Sequence, residues 1–200
     1  MSPRGVATPD VRELLFAAAE RVVERTGPGA LTSRSVTDEA GCAKGLLHAH
    51  FAGFDEFVAE LCLDRFARMA ATARTLHGLA GRGGVARNLH TVALALFDSG
   101  GPALSGLVMT RPAAALRVRE ALGDGAPGFA TVQEAVTAYV REEQRLGRVA
   151  ETTDPATVAL AIVGSAHHLM MTGWPGGPDP RPAMTRLVTA LVGGGATAGT

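Results

Sequence analysis

The 200-residue chain has little lysine, cysteine, aromatic side chain or net charge. Lys44 is the single lysine, and every other basic residue among the 19 is arginine, a bias that fits a GC-rich genome and does not bear on function. Two cysteines, Cys42 and Cys62, are too few for a disulfide scaffold, and both fall in helical patterns, so a reducing compartment is expected. With 19 basic and 19 acidic residues the formal net charge is zero. That excludes a protein that coats nucleic acid or anionic membrane by bulk charge, while leaving a local basic surface open. Residues 1–10 hold no apolar segment of the secretory type. The most apolar stretch, Pro155 to Met171, is interrupted by Thr157, Gly164, Ser165, His167 and His168 and is too short and too polar for a membrane span. A soluble, cytoplasmic protein without membrane contact is expected. Period-two alternation of β-branched or aromatic residues is also missing, which removes a sheet.

What is present is helical periodicity. Val11, Leu14, Leu15, Ala18, Ala19, Val22 and Val23 form one amphipathic stripe, with Thr8 or Asp10 as cap and Gly27 as stop. Short helices are expected at 33–40, capped by Thr32 or Ser33, and at 43–50, separated by Gly41. A long helix follows from Phe54, then a Gly-rich break at 78–84. Further helices are expected at about 85–98, 103–110, 112–122, 128–147, 155–172 and 184–192, with Asp154-Pro155 as a cap and first turn. The expected fold is all-α with about nine or ten helices. Three segments are expected: 8–53 as a three-helix N-terminal unit, 54–192 as a larger helical bundle, and 193–200 as a flexible tail.

An amphipathic first helix, a short second helix, a tight glycine turn and a short third helix are helix-turn-helix geometry, in which the third helix enters the major groove. Gly41 supplies the left-handed turn, and Val36, Ala40, Cys42 and Leu47 form the small core of the motif. The run LTSRSVTDEAGCAKGLLHAHFAGFDEF, Leu31 to Phe57, resembles the DNA-binding domain of the TetR family of transcriptional regulators. Ala40, Gly41, Lys44, Gly45, Leu47, Phe51, Asp55, Glu56 and Phe57 match that family's pattern. Cys42 replaces a usual Val and Ala43 a usual Ser, Thr37 stands for a small Ala, and Leu46 stands where Thr is common. His48, Ala49 and His50 stand where Tyr, His and Tyr are common. Packing positions are kept and several DNA-facing ones are changed, so the operator sequence does not follow from the resemblance.

The chemistry available to these residues fits double-stranded DNA. Thr32, Ser33 and Arg34, with the free N–H groups of the second helix, can donate to a phosphate. Lys44 can contact phosphate or a guanine edge, Ala43 and Gly45 let the backbone approach, and Leu46 can meet a thymine methyl. His48 and His50 can bond phosphate or bases, with a charge that varies near neutral pH. Phe51 is expected to anchor the core. No catalytic triad, CxxC pair or HExxH motif occurs, and no metal or cofactor is expected. His48 and His50, two apart, diverge on a helix. Gly81-Arg82-Gly83-Gly84-Val85-Ala86 resembles a dinucleotide fingerprint but follows no strand, so it is expected to be a flexible connector. Glu142 and Glu143 are expected to be solvated.

Residues 54–192 exceed what DNA reading needs. The resemblance implies a ligand-binding and dimerisation domain there, though no residue carries over. Large apolar groups on several helices (Phe66, Met69, Phe97, Met109, Phe129 and Tyr139) are the candidates for enclosing a small-molecule effector. The helix at 155–172 is apolar nearly all round, which suggests a shared interface. With 128–147 it would form a four-helix bundle in a homodimer, for which Val136, Val140, Gly164, Ala166, His167 and Met171 are the candidates. The expectation is a ligand-responsive DNA-binding regulator, a repressor of a palindromic operator and not an enzyme. The rivals are an all-helical enzyme using groups such as His90, Arg117, Glu142, His167 and His168, and a helical adaptor without DNA.

Overall fold

A computed structural model describes residues 10–98, 106–108, 110–172 and 177–193. The first helix, α1 (Val11–Thr26), starts where the Asp10 carboxylate accepts the Arg12 N–H at 2.9 Å and stops at Gly27, whose φ of 81° favours glycine. The alternative cap, Thr8, lies outside the described residues. Helix α2 (Ser33–Ala40) opens with reciprocal caps. Ser35 N–H donates to Thr32 Oγ1 at 3.1 Å, and Thr32 N–H donates to Ser35 Oγ at 2.9 Å. Then follow α3 (Leu46–His50), α4 (Phe54–Arg74), α5 (Val85–Asp98), α6 (described at 106–108), α7 (Pro112–Gly123), α8 (Phe129–Arg145), α9 (Pro155–Thr172) and α10 (Arg181–Val192). Asp154 caps α9 by accepting Thr157 N–H at 2.9 Å. Among the described residues there is no strand, and no helix is long and apolar enough to cross a membrane. Half of the expected helix at 103–110 and nearly all of the tail at 193–200 lie outside the described residues.

The buried side chains form two cores. One gathers the α1 stripe, Val36, Leu47, Phe51 and the first half of α4, and it also takes Leu107 and Val108 from α6 and Ala114 and Val118 from α7. The other is built by Met69 and Ala73 of α4 together with α5, α8, α9 and α10. Helix α4 therefore belongs to both, and Phe66 packs against each. Phe16, at 4 % exposure, joins the first core although it falls outside the α1 stripe read from spacing.

Two expectations about polar segments fail. Glu142 is half-exposed and pairs with Arg145 at 2.5 Å, but Glu143 is fully buried at 0 % exposure. One carboxylate oxygen of Glu143 accepts the Gly81 N–H at 3.2 Å, and the other faces Arg148 Nη1 at 3.3 Å. Arg148 Nη2 also donates to the Gly83 carbonyl, and Asn88 Nδ2 donates to both the Arg82 carbonyl (2.8 Å) and Tyr139 Oη (2.9 Å). The 78–84 connector is thus pinned by α8 and the turn after it rather than loose. Gly81 and Gly83, at φ of 75° and 60°, take the left-handed turns that bring their backbone to these partners. Burial first, and then the neighbouring Glu143 carboxylate, push the Tyr139 hydroxyl up to about 12. Both cysteines are free thiols, and burial pushes Cys62 up to about 11, which makes it a poor nucleophile.

Candidate nucleic-acid interface and regulatory core

The helix-turn-helix is built around Gly41. Its φ of 64° and ψ of 33° are left-handed, and the Cys42 N–H reaches back to the Thr37 carbonyl at 3.1 Å, which closes α2. Val36 and Leu47, both at 0 % exposure, pack the two helices on α1, while Ala40 and Cys42 are only half-buried. Thr37 fits a position suited to a small residue because its hydroxyl donates to the Ser33 and Arg34 carbonyls, both at 3.1 Å, and so carries no unpaired donor into the core.

Helix α3 is shorter than its expected span of 43–50. Residues 43–45 precede it as a turn closed by Leu46 N–H to the Ala43 carbonyl at 2.9 Å, and helical bonding starts at Leu46. Glycine at 45 is a poor helix former and no side chain caps the start, so the first turn does not join the helix. Of the candidate DNA contacts, Thr32, Arg34, Ala43, Lys44, Gly45, His48 and His50 are exposed, and Ser33 and Leu46 are half-exposed. Arg34 makes one loose pair, with Asp38 at 3.5 Å.

Several supporting residues carry no local sequence signal. Arg21 and Arg25 of α1 converge on Glu39 of α2 at 2.8 and 2.7 Å, tie the two helices and hold the Glu39 carboxyl below the ordinary carboxylate range. Behind α3, Phe51 meets Phe57 edge-on at 5.1 Å, with Phe16 5.6 Å from Phe57. Arg12 lies over the Phe51 ring at 4.6 Å while pairing with Glu60 at 2.8 Å. Arg111, at the start of α7, pairs with Asp55 at 2.8 Å and lies 4.6 Å over Phe54, so the bundle grips the first turn of α4 directly. Only three-dimensional packing brings these groups together, 48 and 56 residues apart in the two arginine–carboxylate pairs.

The candidate effector residues converge on the second core. Met69, Phe97 and Tyr139 are buried in it, and Phe66 and Phe129, with rings 5.2 Å apart, pack against it. Met109 lies outside the described residues. A concavity of about 480 Å³ lies elsewhere, as an open trough along the outer face of α8 lined by Ala130, Gln133, Glu134, Thr137, Ala138 and Arg141.

The candidate dimer residues split. Val136, Val140 and Ala166 are at 0 % exposure inside the protomer's own core, which leaves them no surface for a partner and corrects that part of the expectation. Gly164, His167 and Met171 are exposed and share one face of α9 with Leu160, which is 61 % exposed. His167 rests edge-on against Phe129 at 5.5 Å. Of the polar groups offered by the enzyme reading, His90 is engaged by Thr185 at 2.5 Å and Glu142 by Arg145.

An exposed helix-turn-helix carried on a larger all-helical bundle is the architecture of a DNA-binding transcriptional regulator. Residues 15–61 match the sequence model of bacterial regulatory proteins of the tetR family. A TetR-family regulator from Mesorhizobium loti MAFF303099, at 16% identity, superposes with a TM-score of 0.69 over 96% of this chain and 97% of that one. The ketosteroid transcriptional regulator KstR2 of Mycobacterium tuberculosis, at 18% identity, gives 0.56 over 94% and 95%. The fatty acid degradation regulator FadR of Bacillus halodurans, at 14% identity, gives 0.61 over 96% and 97%. A sequence search of curated proteins finds no match. The sequence match to the tetR family is confined to residues 15–61, and the chain as a whole has the fold of these solved regulators.

Proposed function

We propose that the protein is a homodimeric repressor that holds a palindromic operator and releases it when a small apolar molecule enters the helical bundle. The observation that carries this reading is how residues 32–50 divide. Val36, Thr37 and Leu47 are buried, while the groups suited to phosphates and base edges are turned outward. Thr32, Ser33 and Arg34 at the start of α2 take phosphate, and Lys44, Leu46, His48 and His50 meet the major groove with Ala43 and Gly45 at close approach. Residues 54–192 form the regulatory part. A 100-fold loss of operator affinity on effector binding needs a coupling of about 2.7 kcal/mol, within the range of allosteric proteins.

A gel shift with the DNA upstream of the protein's own gene tests the reading. Arg34→Ala and Lys44→Ala are each expected to weaken operator binding by about tenfold and to lower the salt slope by about one, with the oligomeric state unchanged. Two variants that bind like the parent would show that the reading helix is misassigned.

Pairing of two copies uses the α9 face of Leu160, Gly164, His167 and Met171. Leu160 and Met171, large apolar side chains exposed on one face of α9, favour a partner, and Gly164 allows close backbone approach. Leu160→Arg should leave the protomer folded and shift sedimentation from dimer to monomer. A variant that remains dimeric places the interface on another face.

A further inference from the structure

We propose that operator binding is coupled to proton uptake at His48 and His50, so that this regulator grips DNA more tightly as the pH falls. The inference rests on the DNA-reading role proposed above for α3 and adds a regulating variable to it.

Both imidazoles are exposed on the five-residue α3, on either side of the buried Leu47 and Phe51 that anchor it. Residues 1–53 carry six basic residues (Arg4, Arg12, Arg21, Arg25, Arg34, Lys44) and six acidic ones (Asp10, Glu13, Glu20, Glu24, Asp38, Glu39), so the unit brings no surplus of fixed positive charge. Part of its fixed charge is spent internally. Arg12 is held by Glu60, Arg21 and Arg25 by Glu39, and Arg34 loosely by Asp38. Among the described residues of this unit, Lys44 and the loosely paired Arg34 are the fixed cations left for phosphate, and two protonated histidines would double that number.

Most carboxylates on the elements packed around α3 are engaged. Asp38 faces Arg34, Glu39 takes two arginines, Asp55 takes Arg111, Glu60 takes Arg12, Glu20 takes Arg65, and Glu56 accepts the Ala52 N–H. Asp10 caps α1, while Glu13 and Glu24 of α1 are exposed. None of them pairs with His48 or His50. An imidazole without a carboxylate partner in the free protein gains one when a phosphate arrives. A bound phosphate favours the charged form, so by linkage a lower pH favours the complex.

The test uses the full chain and the duplex it selects from a random DNA pool. At constant ionic strength the parent is expected to bind this duplex about tenfold more tightly near pH 6 than near pH 8, with a salt slope steeper by about one to two at the lower pH. The double variant His48→Gln, His50→Gln keeps hydrogen-bonding side chains without a titrating charge. It should bind more weakly than the parent at both pH values, and the tenfold difference between them should largely disappear. A parent whose affinity and salt slope are the same at both pH values overturns the proposal, as does a double variant that keeps the parent's pH profile. Failure to select any duplex would instead overturn the DNA-reading role itself, and this inference with it.

Discussion

Glu143→Ala is expected to cost about 3–5 kcal/mol of stability, although the residue touches neither the DNA-reading surface nor any candidate effector group except Tyr139. The change takes the acceptor from the Gly81 N–H and leaves the Arg148 guanidinium beside an uncompensated hole. Breaking one half of a buried pair is costly because the remaining charge stays desolvated, whereas removing both halves is not. Glu143→Gln, which keeps volume and an acceptor, should fall between parent and alanine variant. The double change Glu143→Leu, Arg148→Met should recover much of the loss. Urea denaturation followed by circular dichroism measures all of these. A Glu143→Ala variant within about 0.5 kcal/mol of the parent would contradict the latch.

Phe57→Ala is expected to lose about 3–5 kcal/mol and to remove specific DNA binding together with stability. Phe57 is at 0 % exposure and is the hub of the aromatic cluster, with Phe16, Phe51 and Phe54 all within 5.7 Å between ring centres. Truncation opens a cavity directly behind α3, whose own five residues hold too few hydrogen bonds to stay helical without tertiary support. Phe57→Leu fills most of that volume and should retain DNA binding at reduced stability. Thermal unfolding and a gel shift, run on the same preparations, separate the two effects. An alanine variant that melts like the parent would mean the cluster does not support the reading helix.

The boundaries of α1 and α2 are legible in the sequence because the residues that set them act locally, Asp10 and Gly27 for one and Thr32 and Gly41 for the other. The late start of α3 has a local cause too, in Gly45, but the pattern of apolar residues conceals it. Glu143 is the instructive error. It lies at i+4 from Tyr139 and i+11 from Val132, on the same buried stripe of α8, while its neighbour Glu142 is turned about 100° away. Treating the two glutamates as one pair hides a position that periodicity marks as internal. Three of the dimer candidates fail for a different reason. An apolar helix face has the same composition whether its own protomer or a second copy covers it, so Val136, Val140 and Ala166 cannot be told from Leu160 by hydropathy. The Arg111 contact with Asp55 and Phe54 has no signal in one sequence at all.

The sharing of α4 between two cores bears on how such a chain could be recombined. A chimera cut after residue 53 would carry a reading head stripped of Phe57, Val58 and Leu61, and of the Ala114 and Val118 side chains that close it from α7. The transplantable unit is therefore discontinuous. It comprises the N-terminal helices, the first turns of α4, and the segment around 107–118 returning from far along the chain. New DNA specificities are easier to graft by exchanging surface residues on α2 and α3 than by exchanging the head.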